Sequence, residues 1–307
     1  MNESKSHDTR RTEALYEVYD EEERLNHTKA GSIEFLTTLH YIKRYVKPGQ
    51  KILDIGAGTG AYSLYLAEQG YSMTAVDLVA KHVEIMQQKA DPAWPLTIRQ
   101  GNATDLSFFA DHSFDAVLLL GPLYHLREKE DRAKAMAEAK RVLKDDGALF
   151  IGFIPNDVVL LREFFFDPAF LTGDSYDHDT FRLADDPFVF FTVEQCRHML
   201  KENGVDIVHE VAADGLAEIF AEKINALDEE GFLQYLKLHF YLCEKPEMLG
   251  HSHHLLYVGK KSWKQGFYKR LEDALDKWDR IKEERAKEKE ERDKHASPVS
   301  GETPGRK

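Results

Sequence analysis

The feature that most constrains the fold is a glycine-rich loop directly after a short apolar segment. The sequence ILDIGAGTG spans residues 52–60 and places glycines at positions 56, 58 and 60. Glycine permits tight turns and lets another group approach the backbone closely. The first backbone N–H groups of a helix have no partner inside that helix. A strand that turns through such a loop into a helix therefore predicts an α/β domain with a ligand at the turn.

The residues around this loop alternate between apolar segments and amphipathic helical patterns. Apolar segments that predict strands lie at 51–56, 71–78, 96–101, 114–120, 148–154, 205–211 and 254–261. Several of these segments are almost wholly apolar, which is typical of a parallel sheet that is covered on both faces. We therefore predict a doubly wound α/β fold whose mostly parallel, seven-stranded sheet has helices on both faces.

The chain is predicted to have four parts. In order, they are an N-terminal helical cap (1–47), the α/β domain (48–261), a long charged C-terminal helix (262–294) and a disordered tail (295–307). The regular alternation breaks at 155–191 and again at 213–250, so we expect these two insertions to form a helical cover over one edge of the sheet. The first insertion is rich in phenylalanine, which could line an apolar pocket or form the core of the cover.

The charge distribution disfavours a nucleic acid partner. The formal net charge is −13, and residues 261–307 contain 14 of the 41 basic and 11 of the 54 acidic side chains. Residues 1–260 therefore carry a formal charge of −16, which repels phosphate groups.

The sequence also favours a cytoplasmic protein. No apolar run approaches the roughly 18 residues of a transmembrane helix, and the polar N-terminus has no signal-peptide pattern. The two cysteines, Cys196 and Cys243, fit a reducing compartment without a disulfide framework. We expect no membrane segment, and nothing in the sequence specifies an oligomeric state.

The glycine loop has two interpretations. Gly56, Gly58 and Ala61 satisfy the dinucleotide pattern G-x-G-x-x-A, and Asp77 lies about 20 residues further on, at the usual ribose position. Asp54, however, places a carboxylate where it would repel a pyrophosphate, and where it would suit a cationic group. A dinucleotide oxidoreductase would also need a second nucleotide-binding half after residue 154, where the pattern becomes irregular.

Taken together, residues 48–154 resemble the class I S-adenosylmethionine-dependent methyltransferases. The resemblance lies in DIGAGTG at 54–60, VDL at 76–78, GNA at 101–103 and FDAVLLLGPLYHL at 114–126. It implies S-adenosylmethionine as the cofactor, an antiparallel last strand and methyl transfer. The GPLYHL segment is similar to members that act on small molecules, and the Asn/Asp-Pro-Pro-Tyr/Phe motif of DNA adenine methyltransferases is absent.

The resemblance also assigns residues to the amino-acid end of the cofactor. The glycine loop surrounds this end in the family, and the matching residues are Asp54, Gly56, Ala57, Gly58 and Gly60. The backbone of Leu120 and Gly121, after the fourth strand, is implied to face the same end.

The nucleoside end of the cofactor is assigned in the same way. Asp77 matches the acid that accepts hydrogen bonds from both ribose hydroxyls, and Leu78 matches the residue that packs on the adenine. Asn102 and Ala103 match a family segment whose usual aspartate accepts from the adenine amino group. Asn102 can still accept through its side-chain oxygen, but as a neutral and weaker partner.

Candidate catalytic residues are Tyr124 and His125, which follow the fourth strand at its carboxyl end, where open sheets bind ligands. His125 could accept a proton and Tyr124 could shape the acceptor pocket, or both could only cap the cofactor cleft. Positioning can supply most of the rate of methyl transfer, because the sulfonium is an excellent leaving group. A base is needed only if the acceptor must lose a proton.

Three histidines, His251, His253 and His254, precede the last predicted strand. His251 and His253 could share one face and bind a metal, but no cysteine or carboxylate lies beside them at ligand spacing. We therefore predict a surface turn and no metal.

The function predicted from the sequence is methyl transfer from S-adenosylmethionine to a small-molecule acceptor. One alternative is a methyltransferase that acts on RNA or protein, with the charged C-terminal helix as a docking arm. A second alternative is a non-catalytic, S-adenosylmethionine-binding regulatory protein. The sequence specifies neither the acceptor nor the attacked atom.

Overall fold

The computed structural model describes residues 7–18, 25, 27–262 and, further on, 271, 274–278, 280–282, 284–285 and 287. The chain divides into two units, Met1–Lys261 and Ser262–Lys307. In the second unit the residues described between 271 and 287 are helical. The remainder of the helix predicted over 262–294 and the tail predicted over 295–307 lie outside the described residues.

The first unit is built around one seven-stranded sheet. Its strands are β1 (Lys51–Ile55), β2 (Ser72–Asp77), β3 (Leu96–Gln100), β4 (Phe114–Leu119), β5 (Leu143–Phe153), β6 (Val205–Ala212) and β7 (Leu255–Lys261). The order across the sheet is β3-β2-β1-β4-β5-β7-β6. Strands β1 to β5 are parallel, and β7 runs antiparallel to both β5 and β6. The predicted fold class, including the antiparallel last strand, is confirmed.

Ten α-helices are described in the first unit. They are α1 (His7–Val18), α2 (Ser32–Tyr45), α3 (Ala61–Glu68), α4 (Ala80–Lys89), α5 (Lys129–Val142), α6 (Asn156–Phe166), α7 (Val193–Glu202), α8 (Ala221–Asn225), α9 (Glu229–Leu242) and α10 (Pro246–Leu249). Short 3₁₀ turns lie at Pro122–Tyr124 and Pro168–Thr172. None of the described helices combines the length and apolarity needed to span a membrane.

The central strands are covered on both faces. Side chains alternate between the two faces of a strand, yet nearly all consecutive residues of β1 and β4 are buried, as are those from 147 to 153 in β5. Ile52, Leu118 and Phe150, one from each strand, have no exposed surface. This burial explains why the strands are apolar throughout rather than alternating.

The strand order brings several loops together at one edge of the sheet, the edge formed by the carboxyl ends of the parallel strands. β1 lies between β2 and β4, so the chain reverses its direction of travel across the sheet there, and open α/β sheets bind ligands at such a point. The loops that follow β1, β2, β3 and β4 meet at this edge. Because Leu255 pairs with both Phe153 and Ala212, the start of β7 and the end of β6 reach the same edge.

The first insertion leaves the sheet and returns to it at nearly the same place. Pro155 and Phe191 form an isolated bridge, and the Phe191 N–H donates to the carbonyl of Ile154. Thr192 then caps α7 in a reciprocal pair with Gln195, which is a strong helix start signal. Both ends of the insertion are therefore fixed to the sheet.

Candidate active site

A cavity of about 1080 Å³, which we call the first cavity, lies at the carboxyl ends of β1, β2 and β4. Every site residue predicted from the sequence lines it except Gly60. The lining members of that set are Asp54, Gly56, Ala57, Gly58, Asp77, Leu78, Asn102, Ala103, Leu120, Gly121, Tyr124 and His125. The sequence thus selected residues that the fold brings together from four separate loops.

The three glycines of the loop all adopt left-handed backbone conformations. The φ angles are 73° at Gly56, 56° at Gly58 and 91° at Gly60, a region that other residues occupy at a cost. Gly60 immediately precedes α3, and a Cβ added there would lie 2.7 Å from the Met86 side chain. Gly60 is therefore required by the turn and by packing, although it does not line the cavity.

Asp77 ties the glycine loop to the end of β2. This residue is 6% exposed, and its Oδ2 accepts a hydrogen bond of 2.8 Å from the Gly58 N–H. Its Oδ1 accepts from the Val79 N–H and lies 3.1 Å from Nδ1 of His82. A carboxylate has about four acceptor positions, so Oδ2 retains capacity for a further donor. The sequence analysis did not predict His82 as a site residue. Its only signal there is its position, about one helical turn beyond Asp77.

Asp54 lies at the floor of the cavity, where it is 2% exposed. Burial raises the pKa of its carboxyl to about 7, a shift that a hydrogen bond from Ser63 opposes and the charge of Asp77 increases. The Ser63 hydroxyl donates to Oδ2 over 2.7 Å. A neighbouring cation would favour the ionised form of such a carboxyl.

Asn102 lines the cavity beside Gly101 and Ala103. Its side-chain oxygen accepts from both the N–H and the hydroxyl of Thr104, each over 3.0 Å. The oxygen predicted to face an adenine amino group therefore already stabilises the turn after β3.

The N-terminal helix α1 covers the first cavity. Asp8, Thr12 and Tyr16 line it. The Asp8 carboxylate accepts from the Arg127 N–H over 2.9 Å, and the Tyr16 hydroxyl lies 3.0 Å from Nε2 of His125. These contacts join α1 to the segment that follows β4.

A second cavity of about 1900 Å³ adjoins the first, because Tyr16, Glu34 and Tyr124 line both. His125 lines only the first. The two insertions supply much of the wall of the second cavity. Their contributions include Val159, the aromatic side chains of Phe170, Phe188 and Phe190, and the polar side chains of Arg162, Asp214 and Glu218.

The phenylalanines of the first insertion lie in three places, one of which is the core, where Phe191 is 4% exposed. Phe170, Phe188 and Phe190 line the second cavity, whereas Phe164, Phe165 and Phe166 are 43% to 59% exposed. Neither interpretation of this aromatic segment holds for the whole of it.

The second cavity is rich in carboxylates. Arg162 forms ion pairs with Glu163 and Glu218, and Asp186 forms ion pairs with Arg11 and Arg127 on the protein surface. Glu34 and Asp214 also line the cavity, where both contact His254.

The histidines before β7 are not arranged as the sequence suggested. His251 is exposed and contacts the carbonyl of Glu247, while His253 and His254 line the second cavity. Nδ1 of His254 lies 2.8 Å from the carboxylate of Asp214. The sequence contains no carboxylate at ligand spacing beside these histidines, but the pairing of β6 with β7 brings Asp214 to His254 from 40 residues away.

Comparisons with known proteins agree with this geometry. A family profile described as "Methyltransferase domain" matches residues 53–151. YqeM of Bacillus subtilis (strain 168), a candidate methyltransferase, is 30% identical over 192 residues, which are 53% of this chain and 76% of YqeM. The chain belongs to the class I S-adenosylmethionine-dependent methyltransferases. S-adenosylmethionine is the cofactor of this methyltransferase.

One further relative and one solved structure are similar to different fractions of this methyltransferase. The demethylmenaquinone methyltransferase of Tropheryma whipplei (strain Twist) is 32% identical over 124 residues, which are 39% of this chain and 50% of that protein. A crystal structure from Thermotoga maritima, described as an S-adenosylmethionine-dependent methyltransferase and possible histamine N-methyltransferase, has a TM-score of 0.51 at 18% identity. It covers 82% of this chain and 99% of its own, and this likeness shows the fold.

Proposed function

We propose that the methyltransferase transfers the methyl group to a small organic molecule bound in the second cavity. The observation that carries this proposal is that the first cavity, which the predicted cofactor-binding residues line, shares Tyr16, Glu34 and Tyr124 with the second cavity. An acceptor in the second cavity would therefore lie next to a cofactor in the first. The name of the demethylmenaquinone methyltransferase, a relative with a small-molecule acceptor, supports the same class.

The residues of the first cavity fit S-adenosylmethionine. Asp77 suits the ribose because its buried carboxylate keeps acceptor capacity, and Asp54 suits the cationic amino-acid end. Leu78, Asn102 and Ala103 are proposed to hold the adenine. The amino-acid end is proposed to lie against the backbone of the glycine loop and of Leu120 and Gly121. When bound, the cofactor supplies an electrophilic methyl group on a sulfonium.

Tyr124 is proposed to position the acceptor, because it lies between the two cavities. His125 is held by Tyr16 and packs at the edge of the Phe188 ring. It is proposed to accept a proton where the acceptor releases one during attack. For an acceptor without such a proton, positioning alone suffices.

Transfer of labelled methyl groups tests this function. The full chain is incubated with labelled S-adenosylmethionine and, separately, with metabolite, protein and RNA fractions. We expect label in the metabolite fraction. Label in protein or RNA instead would support the macromolecular alternative, and binding of S-adenosylhomocysteine without any transfer would support a regulatory protein.

We also propose a cytoplasmic location, which the two buried cysteines without a disulfide support.

Filling the second cavity is expected to block the acceptor without affecting the cofactor. Ala184 is exposed and lines only the second cavity, so Ala184→Trp should raise the KM for the acceptor about tenfold or more, by the loss of ~1.4 kcal/mol of binding. The affinity for S-adenosylhomocysteine should stay within about twofold, as measured by calorimetry. Ala93→Trp, in an exposed turn away from both cavities, is the matched control. An unchanged KM in Ala184→Trp would remove the acceptor from this cavity.

Binding of S-adenosylhomocysteine is expected to tighten as the pH rises from 5.5 to 8. The folded pKa of Asp54 is raised to about 7, so the carboxyl is largely neutral at pH 5.5 and ionised at pH 8. A cationic amine favours the ionised form, so binding at low pH must release the proton. We expect the affinity to rise about tenfold over this range, since one pKa unit corresponds to ~1.36 kcal/mol.

The variant Asp54→Asn provides the control for this pH dependence. Its side chain keeps the shape but has no titratable proton, so the affinity should vary little over the same range. The raised pKa also predicts that burial of Asp54 costs stability as the pH rises through about 7. The unfolding free energy of Asp54→Asn minus that of the parent protein should therefore be larger at pH 8 than at pH 5. A pH profile of binding that is identical in the two proteins would exclude Asp54 from the site.

A further inference from the structure

Five side chains that can bind a metal ion converge on one wall of the second cavity. They are Glu34 of α2, Asp214 and Glu218 after β6, and His253 and His254 before β7. Nδ1 of His254 lies 2.8 Å from Asp214 and 3.3 Å from Glu34, and Nε2 of His253 lies 3.6 Å from Glu218. One ligand atom from each of Asp214, His253 and His254 can be chosen so that all three lie within 4.8 Å of one another.

These separations suit atoms that share one ion. Two ligand atoms at about 2.1 Å from an ion, with tetrahedral or octahedral angles, are about 3.0 to 3.4 Å apart. Among the three residues of this cluster, the 2.8 Å between Nδ1 of His254 and Asp214 lies close to this range. Glu34 lies 3.3 Å from His254, and Glu218 lies 3.6 Å from His253. The ligand atoms of Asp214, His253 and His254 lie within 4.8 Å of one another, so side-chain rotations would bring them onto one ion.

The carboxylate of Asp214 is held by a buried network. The hydroxyl of Ser252, which has no exposed surface, donates to Oδ1 over 2.7 Å and accepts from the Gly215 N–H over 2.8 Å. The His254 N–H also donates to Oδ1. Oδ1 is thus fixed by the protein, which leaves Oδ2 facing His254. Supporting hydrogen bonds of this kind orient the ligands of metal sites.

We propose that Asp214, His253 and His254 bind a divalent transition-metal ion on the wall of the second cavity, with Glu34 and Glu218 as the nearest additional ligands. Imidazole nitrogen combined with carboxylate oxygen is a donor set that suits Zn²⁺, Mn²⁺, Fe²⁺ or Co²⁺. The sequence predicted no metal because no carboxylate lies at ligand spacing beside the histidines. That reason does not hold in the folded protein, where Asp214 contacts His254. The ion would face the cavity, where it could bind an oxygen or nitrogen of the acceptor; only this last point rests on the proposed function.

Calorimetry of the metal-free full chain with Zn²⁺ and with Mn²⁺ tests this site, without cofactor or acceptor. We expect one ion per chain with a Kd in the micromolar range or below. His254→Gln and Asp214→Asn should each weaken binding at least tenfold. The matched control is His251→Gln, which removes an exposed histidine from the neighbouring turn and should leave binding unchanged.

A second measurement does not depend on the variants folding. Bound Co²⁺ should give the unaltered chain a visible absorption spectrum, which one equivalent of Zn²⁺ removes. Absence of one-to-one binding of any of these ions, or equal binding by the parent and both site variants, would overturn the proposal. Affinity for S-adenosylhomocysteine is measured separately, so failure of the metal site is distinguishable from failure of the methyltransferase function.

Discussion

Replacement of Asp77 by alanine is expected to weaken binding of S-adenosylhomocysteine about 100-fold or more. The proposed bonds to the ribose hydroxyls have a charged acceptor, and hydrogen bonds to charged groups contribute ~1.5 to 3 kcal/mol each. The same change also removes the bond that fixes the Gly58 N–H in the loop. Both effects act in the same direction, and titration calorimetry measures their sum as a change in Kd.

Two controls separate binding from folding for Asp77. Asp91→Ala removes an exposed aspartate whose carboxylate also caps a local turn, at the Ala93 N–H, and it should leave the Kd unchanged. Asp77→Asn keeps an acceptor for the Gly58 N–H but loses the charge, so its affinity should lie between those of the parent and Asp77→Ala. If Asp77→Ala folds and its Kd stays within about threefold of the parent value, Asp77 does not hold the ribose.

Replacement of Gly152 by alanine is the second change for which a large effect is expected. Gly152 lies in β5 beside the end of β4, and an added Cβ would overlap the carbonyl oxygen of Leu120 and lie 3.0 Å from its Cα. These are backbone atoms directly after β4, which cannot rotate away as a side chain can. We expect a loss of about 1 to 3 kcal/mol of unfolding free energy, the usual cost of overpacking.

Gly152→Ala should also reduce cofactor affinity, because displacement of Leu120 moves a segment that lines the first cavity. Urea denaturation and calorimetry measure the two effects. Gly250→Ala is the matched control, since Gly250 has a φ of −70° and no atom within 4 Å of an added Cβ. It should be neutral or slightly stabilising. Equal stability of the two variants would show that β5 can move away from Leu120.

Much of the lining of the first cavity could be predicted because each of these residues lies in a short segment with a recognisable local pattern. The glycines of the loop need left-handed φ angles, and Asp77 ends the strand beside them, so both features leave a local signature. The lining by Tyr124 and His125 follows from their place after β4. Gly60 shows the limit of this reasoning, because its conformation is as predicted for a turn while its side of the loop faces Met86 rather than the cavity.

Other features had no local signature. Tyr16 reaches His125 across 109 residues, and Gly152 is constrained by a neighbouring strand that is not adjacent in sequence. The insertions could be located from the sequence, since the strand–helix alternation stops there. Which of their phenylalanines line a cavity depends on how the inserted segments fold back against the sheet.

The sequence by itself determined the parallel sheet, the glycine turn and most of the residues that were predicted to line one cavity, because strand burial and backbone conformation depend mainly on neighbouring residues. Only the tertiary structure decided which side chains line the second cavity. The pairing of β6 with β7 placed Asp214 against His254, and the packing of α2 added Glu34 from far along the chain. Such contacts depend on how distant segments pack together, so a pattern within one segment could not reveal them.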